Sequence, residues 1–143
     1  MCIRDSLDVL PEKRILQVGI RSGTKEEFKF MSQKKQLVKF FPGGNAQDFK
    51  KALLPYSNAP VYLTIDLDWF DPSLLPGTGT PEPGGFFWND FEVILETLKE
   101  FRIVASDIVE LSPEIDNSGV SSIVAAKVLR LSLIHISEPT RPY

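Results

Sequence analysis

Residues 61–67, Val-Tyr-Leu-Thr-Ile-Asp-Leu, form a nearly unbroken β-branched and apolar run. Such a run suits a strand buried on both faces of a parallel sheet, since a strand with one wet face would alternate apolar and polar side chains. Around it, apolar runs alternate with segments of helical period, the pattern of βα units. Residues 14–20, 36–41 and 103–109 read as the other strands. Thr24 with Glu27 three residues later is a capping-box signature and predicts a helix with Phe28 and Met31 facing inward. After the turn Pro42-Gly43-Gly44, Asn45 is placed to cap a helix carrying Phe49, Ala52 and Leu53. Phe91, Ile94, Leu95, Leu98 and Phe101 recur at helical spacing and predict an amphipathic helix over residues 89–100. Val120, Ile123, Val124 and Val128 mark a last helix, in which Ala125 and Ala126 permit close approach to the sheet. The expected fold is α/β, a three-layer αβα arrangement around a mainly parallel sheet.

The chain of 143 residues is 43% hydrophobic and 24% charged, which fits one globular domain. Its apolar runs all fall short of the ~18 residues that a membrane span needs, so no membrane partner is expected. A formal charge of -3 provides no basic stripe for phosphates, so no nucleic-acid partner is expected either. One cysteine cannot build a disulfide framework, in keeping with a reducing, cytoplasmic setting.

Both ends carry a relation that protein physics does not explain. Met1-Cys2-Ile3-Arg4-Asp5-Ser6 can be encoded by ATG TGT ATA AGA GAC AG and one further base. The reverse complement begins CTG TCT CTT ATA CAC AT, which reads Leu-Ser-Leu-Ile-His and then fits Ile, matching residues 131–136. A DNA adapter joined to both ends of a fragment produces this relation. Residues 1–6 and 131–143 are therefore expected to be adapter-derived, and residues 7–130 to be the authentic stretch of one domain. Cys2 and His135, the only cysteine and the only histidine, fall in the excluded ends and are assigned no chemistry.

The chemistry concentrates where the run at 61–67 ends. Thr64-Ile65-Asp66-Leu67-Asp68 puts two carboxylates at positions i and i+2, which on a strand share a face. Side by side they repel, and desolvation worsens the repulsion, so the pair needs a proton or a cation. Oxygen donors favour hard ions such as magnesium or manganese. The competing reading is a strand-end aspartate followed by a turn, since Asp71-Pro72 is a turn signal. The segment that follows, through Gly85, is too long for a simple connector and is stiffened by Pro72, Pro76, Pro81 and Pro83. Loops of this kind at the C-terminal ends of parallel strands are where α/β proteins build sites.

Here the chain resembles the ureohydrolase family, which comprises arginase, agmatinase, formimidoylglutamase and guanidinobutyrase. Thr64, Ile65, Asp66, Leu67, Asp68, Pro72, Pro76, Gly77 and Gly85 fill the family signature, with Thr64 standing where serine is usual. The resemblance implies the C-terminal portion of an arginase-like fold. It also implies two manganese ions in the intact parent, with Asp66 bridging them and Asp68 binding one. Bound ions of this kind lower the proton affinity of water, and the implied reaction is hydrolysis of a guanidino compound to urea and an amine. Glu110, in Val109-Glu110-Leu111-Ser112-Pro113, matches the family glutamate that pairs with the substrate guanidinium. A carboxylate suits that role because it accepts two parallel N–H bonds from a planar cation. Read alone, Glu110 is an ordinary strand-end charge, and turn formation accounts for Asp116.

Substrate choice rests on one further segment. Arginases carry aspartates after Gly-Leu-Arg that help hold the amino-acid head of the substrate. Here Gly19-Ile20-Arg21 is followed by Ser22-Gly23-Thr24, with no acid until Glu26. That segment and Pro76-Gly77-Thr78-Gly79-Thr80-Pro81-Glu82-Pro83 look most like agmatinase, which converts agmatine to putrescine and urea in polyamine biosynthesis. The competing reading makes Ser22-Gly23-Thr24 only the turn that opens a helix. Phe86, Phe87 and Trp88 are candidates for a pocket wall or for core.

The family's remaining ligands, in a Gly-Gly-Asp-His segment and an Asp-x-His-x-x-x-Asp cluster, belong upstream of Leu7. The polypeptide as written is accordingly expected to be inactive, to bind manganese weakly and to be poorly stable. Arginase, guanidinobutyrase or formimidoylglutamase activity, and a catalytically dead subunit of the same fold, are the alternatives. The family commonly assembles as homo-oligomers, trimers or hexamers, acting on small guanidino substrates.

Overall fold

In the computed structural model, which describes residues 14–34, 36–38 and 40–137 and the side chains of these up to Ile134, parallel pairing organises the chain. The assignment of residues 1–6 to an adapter, and of Cys2 with them, lies outside the described residues, as do residues 138–143 and the side chain of His135. Strands β1 (Gln17–Val18) and β2 (Leu37–Val38) form one parallel pair. Strands β3 (Val61–Asp66) and β4 (Ile103–Val109) form a second. Between them run α1 (Lys25–Gln33), α2 (Ala46–Leu53) and α3 (Trp88–Leu98), and α4 (Val120–Ser137) closes the described chain. The α/β class and the parallel strands are as expected.

Local chemistry accounts for most boundaries. At α1 the Thr24 hydroxyl accepts the Glu27 N–H at 3.2 Å, while the Glu27 carboxylate accepts the Thr24 N–H at 2.7 Å. This reciprocal pair satisfies two donors that a helix start otherwise leaves open. Asn45 caps α2 by accepting the Gln47 N–H at 2.7 Å. At α3 the buried Asp90 accepts the Phe87 N–H at 2.8 Å and the Gly43 N–H at 2.6 Å, so one side chain caps the helix and secures the turn before α2.

Three expectations need correction. The strand expected over residues 14–20 contracts to two residues because Gly19 takes a positive φ of 78°, which bends the chain out of the sheet. The one expected over residues 36–41 contracts likewise, as Phe40 N–H turns back onto the Val38 carbonyl at 2.9 Å. Burial of residues 61–67 on both faces holds for Ile65 and Leu67 but not for Tyr62, which is 60% exposed and hydrogen bonds Asp107 at 2.9 Å. Among the described residues β4 pairs only with β3, which leaves its other edge without a strand partner.

The last helix is oriented differently from its apolar pattern. Ser121, Ala125, Val128 and Ser132 are buried, whereas Ile123 is 70% exposed. Small side chains take the inward face because the helix lies close to the loop and sheet. A Cβ on Gly77, for example, would sit 2.8 Å from Ser121 Cβ, and the Gly77 N–H donates to the Ser121 hydroxyl at 2.8 Å. The helix also continues beyond Arg130, with Leu131 packed into the core that includes Ile65, Phe70, Phe91 and Leu95.

This orientation predicts unequal effects along one helix. Leu131→Ala should cost about 2–5 kcal/mol in urea unfolding, the usual range for emptying a buried leucine site. Ile123→Ala should stay within about 0.5 kcal/mol, as for exposed positions. Equal costs at the two positions would contradict the assigned face.

Candidate metal centre at the end of β3

The site starts from how β3 stops. Asp66 is its last residue, and the chain then enters a 3-10 turn, Leu67–Trp69, so Asp68 lies in the turn and not on the strand. The two carboxylates are therefore not brought together by strand alternation, as the spacing had implied. Instead Asp66 caps the turn, its Oδ1 accepting the Asp68 N–H at 3.2 Å. Asp68 Oδ2 in turn accepts the Thr80 hydroxyl at 2.7 Å.

Partial burial, above all, pushes the Asp66 carboxyl up to about 7. A shared side-chain hydrogen bond with Asp68 and the charge of that neighbour add to the rise, and the charge of Glu110 contributes further. These are the marks of acids held together against their repulsion. A hard divalent cation fits the oxygen-only donor pair and would relieve it. The fit is incomplete, because among the described residues no three His, Cys, Asp or Glu side chains are grouped so as to hold one ion.

Glu110 reaches the same sheet end by register. Asp66 lies opposite Val109, so Glu110 follows at once after the paired strands finish. It adopts a positive φ of 68°, the only non-glycine residue among those described to do so. Such a conformation costs a β-carbon residue of order 1–3 kcal/mol and persists where the surroundings over-determine it. One such constraint is an antiparallel bridge between Thr78 and Leu111, with Ser112 N–H donating to Gly77 O at 2.8 Å. That bridge fastens the loop after β3 to the segment after β4.

The loop itself is closed at its base. Asp71 N–H donates to Phe86 O at 2.9 Å and Phe86 N–H to Trp69 O at 3.1 Å. The Asp71 carboxylate accepts the Ser73 hydroxyl and N–H through one oxygen, and the N–H groups of Gly84 and Gly85 through the other. These bonds, the Ser73 hydroxyl foremost, hold the Asp71 carboxyl down at about 2. Gly85 is required by contact, since a Cβ there would lie 2.4 Å from Asp71 N. Beneath the loop, Trp69 stacks on Phe86 with ring centroids 4.1 Å apart, and a Cβ on Gly19 would strike the Trp69 indole at 2.4 Å. Phe86 is thus core, while Phe87 is 47% exposed.

Asp116 is engaged in a turn of its own, against Gly77 of the loop. It accepts the N–H groups of Ser118 and Ser121 and the Ser118 hydroxyl, which lowers its carboxyl far below the ordinary range and fixes the start of α4. Turn formation therefore accounts for it. Three contacts at the site had no sequence signal. The Thr80 hydroxyl on Asp68, and the Gly84 and Gly85 N–H groups on Asp71, join residues distant along the chain, whereas the two Ser73 bonds belong to the turn that Asp71-Pro72 signals. The third is Arg21, whose guanidinium reaches the carbonyls of Asp68, Trp69 and Glu82.

Comparison with known proteins places these features in a wider set. The family described as the arginase family matches residues 1–135. An agmatinase from Bacillus cereus is 33% identical over 135 residues, covering 92% of this chain and 46% of that protein. An N(1)-aminopropylagmatine ureohydrolase from Thermococcus kodakarensis is 36% identical over 137 residues, covering 92% of this chain and 45% of that one. Among solved structures, a provisionally assigned agmatinase from Clostridium difficile superposes with a TM-score of 0.84 at 42% identity, covering 97% of this chain and 50% of that chain. The chain thus spans about half the length of the relatives it matches.

Two pH dependences follow. The Asp71 carboxyl is lowered on folding from 3.8 to about 2, so its contribution is present above pH ~4 and is lost as pH falls towards 2. Asp71→Asn should flatten that part of a melting-temperature profile against pH. Asp66 has the opposite sign: its carboxyl is raised from 3.8 to about 7, so without metal the fold loses stability as pH rises from about 4 to about 7, and the loss is complete above that value. In metal-free protein at pH 8, Asp66→Asn should raise the melting temperature by about 3–8 °C, and the gain should vanish near pH 4. A variant less stable than the parent at pH 8 would contradict the assigned repulsion.

Proposed function

The chain belongs to the arginase family, and on that premise we propose that it is the catalytic C-terminal part of a manganese-dependent ureohydrolase that converts agmatine to putrescine and urea. The observation that carries the proposal is the partly buried pair Asp66 and Asp68, with the Asp66 carboxyl pushed up by burial and by its neighbour, at the sheet end where Glu110 also emerges. Asp66 would bridge two manganese ions and Asp68 would bind one. When bound, such ions supply Lewis acidity and a nucleophile from water at neutral pH.

The chain's own residues orient the reaction. Asp66 is fixed by accepting the Asp68 N–H, and Asp68 by accepting the Thr80 hydroxyl, so neither carboxylate is free to swing. Glu110 would take the substrate's guanidinium between its two oxygens, which sets the plane of the cation against the site. Its strained backbone directs the side chain from a fixed point where β4 ends. Arg21 ties the Ser22-Gly23-Thr24 segment to the loop that carries Asp68. The absence of acids in that segment removes a partner for an α-ammonium group, which favours agmatine over arginine. The agmatinase from Bacillus cereus supports this choice. The Thermococcus relative, by its name, acts on a substituted agmatine, so arginine, guanidinobutyrate and formimidoylglutamate remain the substrates to compare.

Two aspartates do not complete the shells of two ions, so the activity is proposed for a longer polypeptide that adds upstream ligands. The stretch alone is proposed to be inactive and to bind manganese weakly. Residues 1–6 and 131–136 are read as non-native on the reverse-complement relation, and residues 136–143 on their resemblance to translated sequencing-library adapter. A cytoplasmic homo-oligomer is proposed for the parent, in keeping with the family's habit.

The test is urea release by the full-length enzyme loaded with manganese. Agmatine should be turned over faster than arginine, and Glu110→Gln, which removes the charge that would pair with the guanidinium, should lower kcat/KM for agmatine about tenfold to a hundredfold. Faster turnover of arginine would overturn the substrate assignment. An intact parent without measurable hydrolysis of any of the four substrates would favour the non-catalytic subunit.

A further inference from the structure

The guanidinium of Arg21 is engaged in a way that the proposed chemistry does not use. One terminal nitrogen donates to the Trp69 carbonyl at 3.0 Å, and the other to the carbonyls of Asp68 at 2.7 Å and Glu82 at 2.8 Å. A longer contact of 3.5 Å reaches the carbonyl of Gly19 on its own segment. Among the described residues its bonds go to main-chain oxygens. Asp68 and Trp69 lie in the turn after β3, whereas Glu82 lies on the returning limb of the loop. The planar fork therefore spans the mouth of the loop, joining both limbs to the segment that leaves β1. A fork of this shape sets angles as well as distances, which an ammonium group does not do.

The position matters because of what the fastened peptide carries. The Asp68 carbonyl held by Arg21 and the Asp68 N–H held by Asp66 fix the residue from both sides. The Asp68 carboxylate is then held by Thr80, two residues before Glu82, on the limb that Arg21 also holds. Rotation of the turn would move Asp68 and Thr80 apart and separate Asp68 from Asp66. We propose that Arg21 is a positioning residue for the carboxylate pair: by fixing the Asp68 peptide against the Glu82 limb, it holds Asp68 where it and Asp66 can share divalent cations. This inference rests on the reading of Asp66 and Asp68 as metal ligands. It assigns Arg21 no contact with substrate or ion.

The test compares Arg21→Lys and Arg21→Met with Asp68→Asn in the full-length enzyme, reading manganese affinity from the electron paramagnetic resonance of the free ion, together with kcat, KM and the melting curve. Both Arg21 variants should remain folded and bind manganese about 10- to 100-fold more weakly, as substitutions behind metal ligands do. At saturating manganese kcat should recover towards the parent value, with KM for agmatine changed less than about threefold. Arg21→Lys keeps the charge and one donor, and should bind manganese more tightly than Arg21→Met. If Asp68→Asn abolishes manganese binding while both Arg21 variants bind like the parent, Arg21 has no positioning role and the metal-site reading stands. If Asp68→Asn also binds like the parent, the metal-site reading itself fails. Loss of the fold in both Arg21 variants would make the residue a general stabiliser and would overturn the proposal.

Discussion

Two carboxylates held in contact at a sheet end, one capping the turn that carries the other, are the constraint around which this molecule is arranged. The arrangement is unfavourable by itself: burial above all, then the hydrogen bond and charge of Asp68 and the charge of Glu110, keep the Asp66 carboxyl protonated up to about 7. A fold keeps such a pair only if surrounding contacts outweigh the repulsion. Here they come from the parallel pairing of β3 with β4, from the capped 3-10 turn and from a loop that cannot relax away.

The loop shows how backbone contacts substitute for bulk. It buries Phe70, Leu75 and Phe86, yet its shape is set by hydrogen bonds and by positions where no side chain fits. Gly85 lies against the Asp71 backbone, Gly77 against Ser121 and Gly19 against Trp69. Asp71 closes the base, Thr78 and Leu111 join the loop to the segment after β4, and Arg21 spans its mouth. Each fastening acts on a different edge, so Asp68 and Glu110 are located with respect to one another through the loop and not through β3 alone.

The signature residues were legible because their spacing is a backbone requirement. Pro76-Gly77 and Gly85 match a pattern that the geometry explains through close approach, and Thr24 with Glu27 forms the reciprocal cap that its spacing predicts. The strands and helices around the site were legible from period as well, with β4 matching residues 103–109 throughout. Reading failed where tertiary contact decides. Ile123, one of the apolar residues that marked the last helix, is exposed, and the buried Ser121 had no apolar signal, whereas Ala125 packs inward as its small size suggested. Strand alternation put Asp66 and Asp68 on one face, whereas a capped turn brings them together. The reach of Arg21 to carbonyls far along the chain leaves no local trace, because main-chain acceptors exist at every residue.

The most direct measurement is anomalous diffraction at the manganese edge from crystals of the full-length enzyme grown with the metal. The account requires anomalous peaks within bonding distance of Asp66 and Asp68 carboxylate oxygens, one of them shared by both side chains. Fully occupied manganese elsewhere with none at this pair would contradict it.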